Sequence, residues 1–249
     1  NAIAQTVYKI TYIRSSNGTT IENQDPLLVY SNEKESIITT EDIMAAKAAF
    51  PYEQSWITGN QQFQIANLDA KRIIVMRDTT TIPKQNFELI NEKRNILGYE
   101  CKKAKTIVNS NTIELWYTNA LNVKGSPTIL GQKLGLVLEV IRNGNFVIAA
   151  SKIEKTGLFP SFDLNKENTK PVNTLTYKDL LWKSRFTTIP VFKDEIINFS
   201  DASKSNDSIL RFANGTIILR KIKFPEIKKG SQIFVDLTEQ SNGDAYDRT

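Results

Sequence analysis

Leu134-Gly135-Leu136-Val137-Leu138-Glu139-Val140-Ile141-Arg142-Asn143-Gly144-Asn145-Phe146-Val147-Ile148-Ala149 decides the fold. Two apolar, β-branched runs flank Arg142-Asn143-Gly144, and Asn-Gly accepts the positive φ angles of a tight hairpin turn. Leu134 to Ile141 is therefore expected to pair with Asn145 to Ala149. The pattern repeats on either side. Val7 to Ile13 alternates, with Tyr8, Ile10 and Tyr12 on one side and Lys9 and Thr11 on the other, as in a half-buried strand. Ser15-Ser16-Asn17-Gly18 is a turn, and Leu27 to Tyr30 is a second short strand.

Further strands are expected at Gln62 to Ala66, Arg72 to Met76, Phe87 to Ile90, Gly98 to Lys105 and Thr112 to Thr118. Consecutive strands joined by short turns imply an antiparallel meander. Two helices interrupt it. Thr39-x-x-Asp42 has the spacing of a capping box, followed by helix formers from Ile43 to Phe50 and a stop at Pro51. Thr176 and Asp179 have the same spacing before a helix at Tyr177 to Lys183. A domain boundary is expected around Thr187-Thr188-Ile189-Pro190. Beyond it, Val191 to Phe199 and Ile209 to Phe224 restart the β pattern, with Asn214-Gly215 as a turn, and Ser231 to Leu237 forms a last strand. The fold class expected is mainly β.

Composition narrows the chemistry. The 249 residues contain one cysteine, Cys101, and no histidine. No disulfide forms within the chain, and Ser-His-Asp catalysis, Cys-His catalysis and His-ligated zinc are excluded. Any catalysis rests on carboxylates, Lys, Tyr or Arg, and neither a cofactor nor a metal is expected; calcium held by carboxylates and carbonyls stays open, though no EF-hand-like spacing appears. Cys101 occupies an alternating strand position and reads as a buried, inert thiol. No apolar run is long enough to span a bilayer. Asn1-Ala2-Ile3-Ala4-Gln5 reads as the tail of a secretory signal, with Ala2-Ile3-Ala4 as a small-x-small cleavage site, so residues 1–5 are set apart and the protein is expected to be secreted or periplasmic.

The net charge is +5, and the segment from Pro190 to Thr249 carries 9 basic and 9 acidic residues, so the whole excess lies in the first 189. Its densest patch is Lys102-Lys103-Ala104-Lys105. Alternation sends Lys103 and Lys105 to one side and Lys102 to the other. That fits a solvated β face better than a nucleic-acid surface, and no nucleic-acid partner is expected. Trp56, Trp116 and Trp182 are candidates for a sugar-binding groove, or equally for core and rim positions.

The candidate catalytic element lies at the end of the chain. Asp244-Ala245-Tyr246-Asp247-Arg248 places two carboxylates and a guanidinium around an aromatic ring. Two acids three residues apart disfavour each other's charge, which raises one pKa and allows proton transfer without histidine. The same five residues also read as a solvated turn with a surface Asp–Arg pair worth about 0–1 kcal/mol.

Two resemblances bear on these readings. Ile96 to Ala104, Ile113 to Thr118, Gly125-Ser126-Pro127 and Leu134 to Glu139 resemble the GLPGLI-type β domains of secreted Bacteroidetes proteins, although Gln132-Lys133-Leu134-Gly135-Leu136 lacks their proline. Phe224-Pro225, the strand Gln232 to Leu237 and Asp244 to Arg248 look like the start of the catalytic region of the peptide-N-glycosidase F family. That family cleaves the amide between asparagine and the innermost N-acetylglucosamine of N-glycans. The resemblance implies a bowl-like N-terminal β domain over residues 6–189 and the beginning of a jelly-roll catalytic domain over 190–249. It implies that Asp247 is catalytic and that Asp244, Tyr246 and Arg248 line the sugar site. The partners expected are an N-glycosylated protein or glycopeptide and the remainder of the catalytic domain, which carries the family's further glutamates; without them the chain alone is expected to be inactive. The alternatives are a glycoprotein-binding or docking module, or a secreted scaffold without glycan chemistry.

Overall fold

The computed structural model describes residues 6–22, 24–164 and 167–185, together with the backbone of 207–212, 215–220, 240–241 and 244–245. The chain divides into two compact units, Asn1–Arg185 and Phe186–Thr249. The predicted boundary residues Thr187 to Pro190, the strands at Val191 to Phe199 and Ser231 to Leu237, and the segment Asn1 to Gln5 lie outside the described residues.

The first unit is mainly β, as expected. It is built on strands β1 (Val7–Ser16), β2 (Thr19–Thr20), β3 (Leu27–Ser31), β4 (Glu35–Thr40), β5 (Tyr52–Thr58), β6 (Gln61–Asp69) and β7 (Arg72–Asp78). These are followed by β8 (Glu88–Ile96), β9 (Tyr99–Val108), β10 (Asn111–Thr118), β11 (Leu136–Arg142), β12 (Phe146–Thr156) and β13 (Thr169–Pro171). All belong to one sheet, whose order is β13-β7-β6-β5-β4-β3-β1-β12-β11-β10-β9-β8, with β2 beside β1.

The expected single meander is therefore corrected. Two five-stranded meanders, β3 to β7 and β8 to β12, flank β1, which pairs with β3 on one side and β12 on the other. The chain passes from one flank of the sheet to the opposite edge between β7 and β8. At the far end β13 joins β7 in parallel.

The register follows from side-chain alternation. Tyr8, Ile10 and Tyr12 are all buried, in one cluster with Leu115, Leu136, Val137 and Leu138. Val7, on the opposite face, packs with Leu28, Tyr30 and Ile37, and Met44, Trp56, Phe159 and Phe162 close over them. The hydroxyl of Tyr12, fully enclosed, donates to the Val137 carbonyl at 2.6 Å, so its polar atom is satisfied inside the core. The deciding hairpin forms with Arg142 opposite Phe146, and Asn143 and Gly144 take φ values of 51° and 74°. Asn17 and Gly18, at 50° and 77°, make the two-residue turn between β1 and β2.

The first helix is much shorter than expected. Helix α1 (Glu41–Met44) is one turn, capped by Thr40, whose hydroxyl accepts from the Ile43 N–H. Thr39 does not cap it, because β4 runs straight into the helix and holds Thr39, buried, opposite Leu28. Ala46 already stands at φ 56°, which ends the helical path before Pro51 is reached. The segments Glu35–Thr40 and Tyr52–Thr58, on which no strand was expected, are both strands.

Helix α2 (Thr174–Arg185) is longer than expected at both ends. Its cap is Asn173, whose Oδ1 accepts from the Thr176 N–H at 2.9 Å, so Thr176 lies inside the first turn rather than at the cap. Tyr177 and Leu181 pack on Ala66, Leu68, Ile74 and Met76 of β6 and β7. The Tyr177 hydroxyl donates to Glu53 at 2.8 Å.

The passage between β7 and β8 is anchored at its start. The Asp78 carboxylate accepts from the N–H groups and hydroxyls of Thr80 and Thr81. Partial burial works against its charge, but these four bonds outweigh that effect and hold the carboxyl down to about 2. Ile82 is then buried, at 2% exposure, and Gln85 bonds the Ile129 carbonyl and the Gly131 N–H. Because the folded pKa lies below the unfolded one, the stabilisation is complete above about pH 4 and is lost as pH falls toward 2. Asp78→Ala is expected to cost about 1–2 kcal/mol at neutral pH. Denaturant melts should also show a shallower loss of stability for the variant between pH 4 and pH 2 than for the parent.

In the second unit, β14 (Asp207–Phe212) pairs with β15 (Gly215–Arg220) as an antiparallel hairpin, and β16 (Gln240–Ser241) pairs with β17 (Asp244–Ala245). Asn214, of the expected Asn214-Gly215 turn, lies outside the described residues.

Candidate functional site

Two places carry candidate chemistry, one in each unit. In the second, β17 begins at Asp244, whose backbone stands opposite Ser241 of β16. The acidic stretch thus enters from a short antiparallel pair. Tyr246, Asp247 and Arg248 lie outside the described residues.

In the first unit, a cleft of about 300 Å³ opens between three chain segments. The turn from β3 to β4 contributes Asn32, Glu33, Lys34 and Glu35; the turn from β5 to β6 contributes Gly59 and Asn60; the loop before β11 contributes Lys124, Gln132 and Lys133. Ser36 and Ile57 also line it, and Ile57 is the one apolar side chain that does.

Each segment is fixed by buried polar contacts. The Asn32 Oδ1 accepts from the N–H groups of Lys34 and Glu35, at 2.8 and 2.9 Å, and holds the turn. Ser31 donates to the Lys124 carbonyl at 2.6 Å, which ties the far loop to β3. The Gln132 amide accepts from Ser36 at 3.1 Å and donates to the carbonyls of Ser126 and Thr128. Ser31, Asn32, Ser36, Ser126 and Gln132 are all buried. A floor whose polar groups are satisfied in this way is rigid.

The rim is charged. Glu35 accepts from the Trp56 indole at 2.6 Å, and Glu33 accepts from the Asn122 amide at 3.3 Å. Lys34, Lys124 and Lys133 are exposed, and among the described residues none has a carboxylate within ion-pair distance. The cleft escaped sequence reading because its residues are scattered from 32 to 133. The local signals available were Asn32-x-Lys34, an Asx-turn pattern, and the polar Gln132-Lys133 ahead of an apolar strand.

The three tryptophans separate. Trp56 supports the cleft wall, its ring stacked on Phe63 with centroids 5.1 Å apart. Trp116 is buried in the core cluster, and Trp182 is part-exposed on α2. Cys101 is fully buried, and burial pushes its thiol up to about 11. It is therefore not a nucleophile at neutral pH.

Within the basic patch, Lys103 has a structural role. Lys103 pairs with both Glu92 and Glu114 at 3.3 Å. On the same stretch of sheet, Arg94 pairs with Glu139, and its guanidinium carbon stands 4.2 Å from the centre of the Trp116 ring. Among the described residues the buried Arg94 Nε has no hydrogen-bond acceptor, and the ring's negative face compensates part of that charge. Glu139→Gln is expected to cost about 2 kcal/mol, between the value of a surface pair and that of a fully buried one. A double-mutant cycle with Arg94→Met, read by denaturant melts, measures the coupling.

Comparisons with known proteins follow the same division of the chain. A family model described as the N-terminal domain of N-glycanase peptide matches residues 10–179. A second, described as the N-terminal part of peptide-N-glycosidase F, matches residues 188–249. Two solved structures of PNGF-II, in space groups C2 and P21, are 48% identical to this chain over 90% of its length, with TM-scores of 0.67 and 0.69. The chain spans 42% of the length of each. No curated protein matches.

Proposed function

Since the chain belongs to the peptide-N-glycosidase F family, we propose that it is the N-terminal portion of an exported amidase that hydrolyses the asparagine–N-acetylglucosamine amide of N-linked glycoproteins or glycopeptides. The observation that carries this reading is the match of residues 188–249 to the N-terminal part of peptide-N-glycosidase F, a span that includes Asp244 to Arg248.

Amide hydrolysis requires an activated water, a stabilised oxyanion and a protonated leaving nitrogen. With no histidine in the chain, carboxylates do the proton work. In this reading Asp247 activates the water, and Arg248 orients or compensates its charge. Tyr246 stacks on a sugar face, and Asp244 binds the substrate. Further carboxylates outside these 249 residues complete the site. Residues 6–189 form the bowl-like domain and 190–249 begin the catalytic jelly roll.

A glycan-release assay on denatured N-glycoprotein tests the proposal. The natural full-length protein is compared with its Asp247→Asn form, and conversion of asparagine to aspartate is read by mass. Release lost in the variant supports the assignment; no release from either protein overturns it.

A second reading, a glycoprotein-binding module, is favoured by the polar cleft of the first unit. The two readings are compatible, because catalysis and binding fall on different units.

A further inference from the structure

We infer that the cleft between Asn32, Asn60 and Lys133 is a binding site for an acidic sugar, a polyhydroxylated ring bearing a carboxylate or a sulfate. The inference is independent of the amidase reading, since it concerns a surface of the first unit and requires no hydrolysis.

Three observations point to this ligand class. The first is charge. Three ammonium groups, those of Lys34, Lys124 and Lys133, line a single cleft without a carboxylate partner among the described residues. Some lysines elsewhere on the same sheet, Lys93, Lys103 and Lys152, are paired with glutamates; what distinguishes the cleft is that three unpaired ones share a single lining. Both glutamates of the rim accept from neutral donors instead, Glu35 from Trp56 and Glu33 from Asn122. Bringing like charges together is unfavourable. A bound anion relieves the repulsion, and the effect is sensitive to salt.

The second is polarity. Ile57 is the one apolar side chain in the lining, whereas sites for apolar ligands are mostly hydrophobic and aromatic. Because the Asn32 Oδ1 is taken by two backbone N–H groups, what Asn32 retains for a ligand is its Nδ2 donor. Asn60 lies opposite, on the turn between β5 and β6. Donors from amides and ammoniums suit hydroxyl and acid oxygens together.

The third is preorganisation. The floor formed by Ser36 and Gln132 is buried and internally bonded, so a ligand does not have to order it. The volume, about 300 Å³, is at the small end of the range for ligand sites and suits a terminal sugar rather than a long oligosaccharide.

The test is titration of the 249-residue chain, by calorimetry and saturation-transfer NMR, at low ionic strength. The probes are N-acetylneuraminic acid, glucuronic acid, N-acetylglucosamine 6-sulfate, neutral N-acetylglucosamine and sodium sulfate. At least one acidic sugar is expected to bind at least about tenfold more tightly than both the neutral sugar and sulfate, with affinity falling as salt is raised. The double variant Lys124→Ala/Lys133→Ala is expected to lose about tenfold or more in that affinity. Both side chains are exposed, so its melting temperature should match the parent's. Failure of every acidic sugar to bind overturns the inference, as does unchanged binding by a folded double variant. Sulfate binding as tightly as the sugars reduces the site to a general anion site and also overturns it. Equal binding of neutral N-acetylglucosamine removes the role assigned to charge.

Discussion

On the proposed assignment of Asp247 as general base, Asp247→Asn in the natural full-length protein is expected to lower glycan release by about 10²–10⁴-fold, the range for removing such a group. The substitution replaces a carboxylate by a neutral amide of nearly the same shape. Substrate contacts that depend on shape are kept, whereas proton abstraction from water is lost. The loss should therefore appear mainly in kcat, with KM little changed. Tyr246→Phe keeps a stacking ring and is expected to cost much less. The same proposal predicts that the chain of residues 1–249 on its own releases no glycan, because in it the acidic loop is one part of a site completed by further carboxylates. Release by that fragment would contradict the assignment, as would an unimpaired Asp247→Asn form.

Gly135→Ala is expected to destabilise the first unit by about 4 kcal/mol. Two independent costs contribute. Gly135 stands at φ 151°, a region open in practice only to glycine, and forcing another residue into it costs about 1–3 kcal/mol. A Cβ at this position would also lie 2.5 Å from the Thr118 carbonyl oxygen and 2.3 Å from the Asn119 Oδ1. The first of these is backbone at the end of β10, which is paired on both sides and has little room to shift. Overpacking of this kind costs about 1–3 kcal/mol more. The control is Gly144→Ala, where φ is 74° but nothing lies within 4 Å of the added atom, so backbone strain alone, about 1 kcal/mol, is expected. Thermal melts of the two variants separate strain from collision.

The elements read most clearly from sequence were those whose pattern was simple. Tyr8, Ile10 and Tyr12 alternate cleanly and are buried together. The Asn-Gly turns at 17–18 and 143–144 adopt the positive φ they require. Strand β5 was not legible because Tyr52 to Trp56 are all half-buried, which leaves no alternation to detect. Around α1 a local signal competed with a tertiary one. Thr39-x-x-Asp42 has capping spacing, but pairing with β3 commits Thr39 to the sheet, and pairing prevailed. The role of β1 was beyond local reading too: β3 is a near neighbour in sequence, but the second partner, β12, is reached only at Phe146 to Thr156. The candidate site divides in the same way. Asp244 to Arg248 is a contiguous stretch and stood out, whereas the cleft is assembled from three turns that only the sheet brings together.

The place of β1 in the sheet also governs when the sheet can be completed. Most strand pairs here join neighbours in sequence and can form as soon as both have left the ribosome. The pairing of Val7 with Thr156 and of Ser16 with Phe146 cannot. Until β12 emerges, β1 has one long edge unpaired, exposing N–H and C=O groups that invite association with other chains. Joining residues so far apart carries a large loop-closure cost, and pairings of this kind slow folding. The two meanders are thus units that can assemble early, and the docking of β12 on β1 is expected to be the late, slow event that unites them.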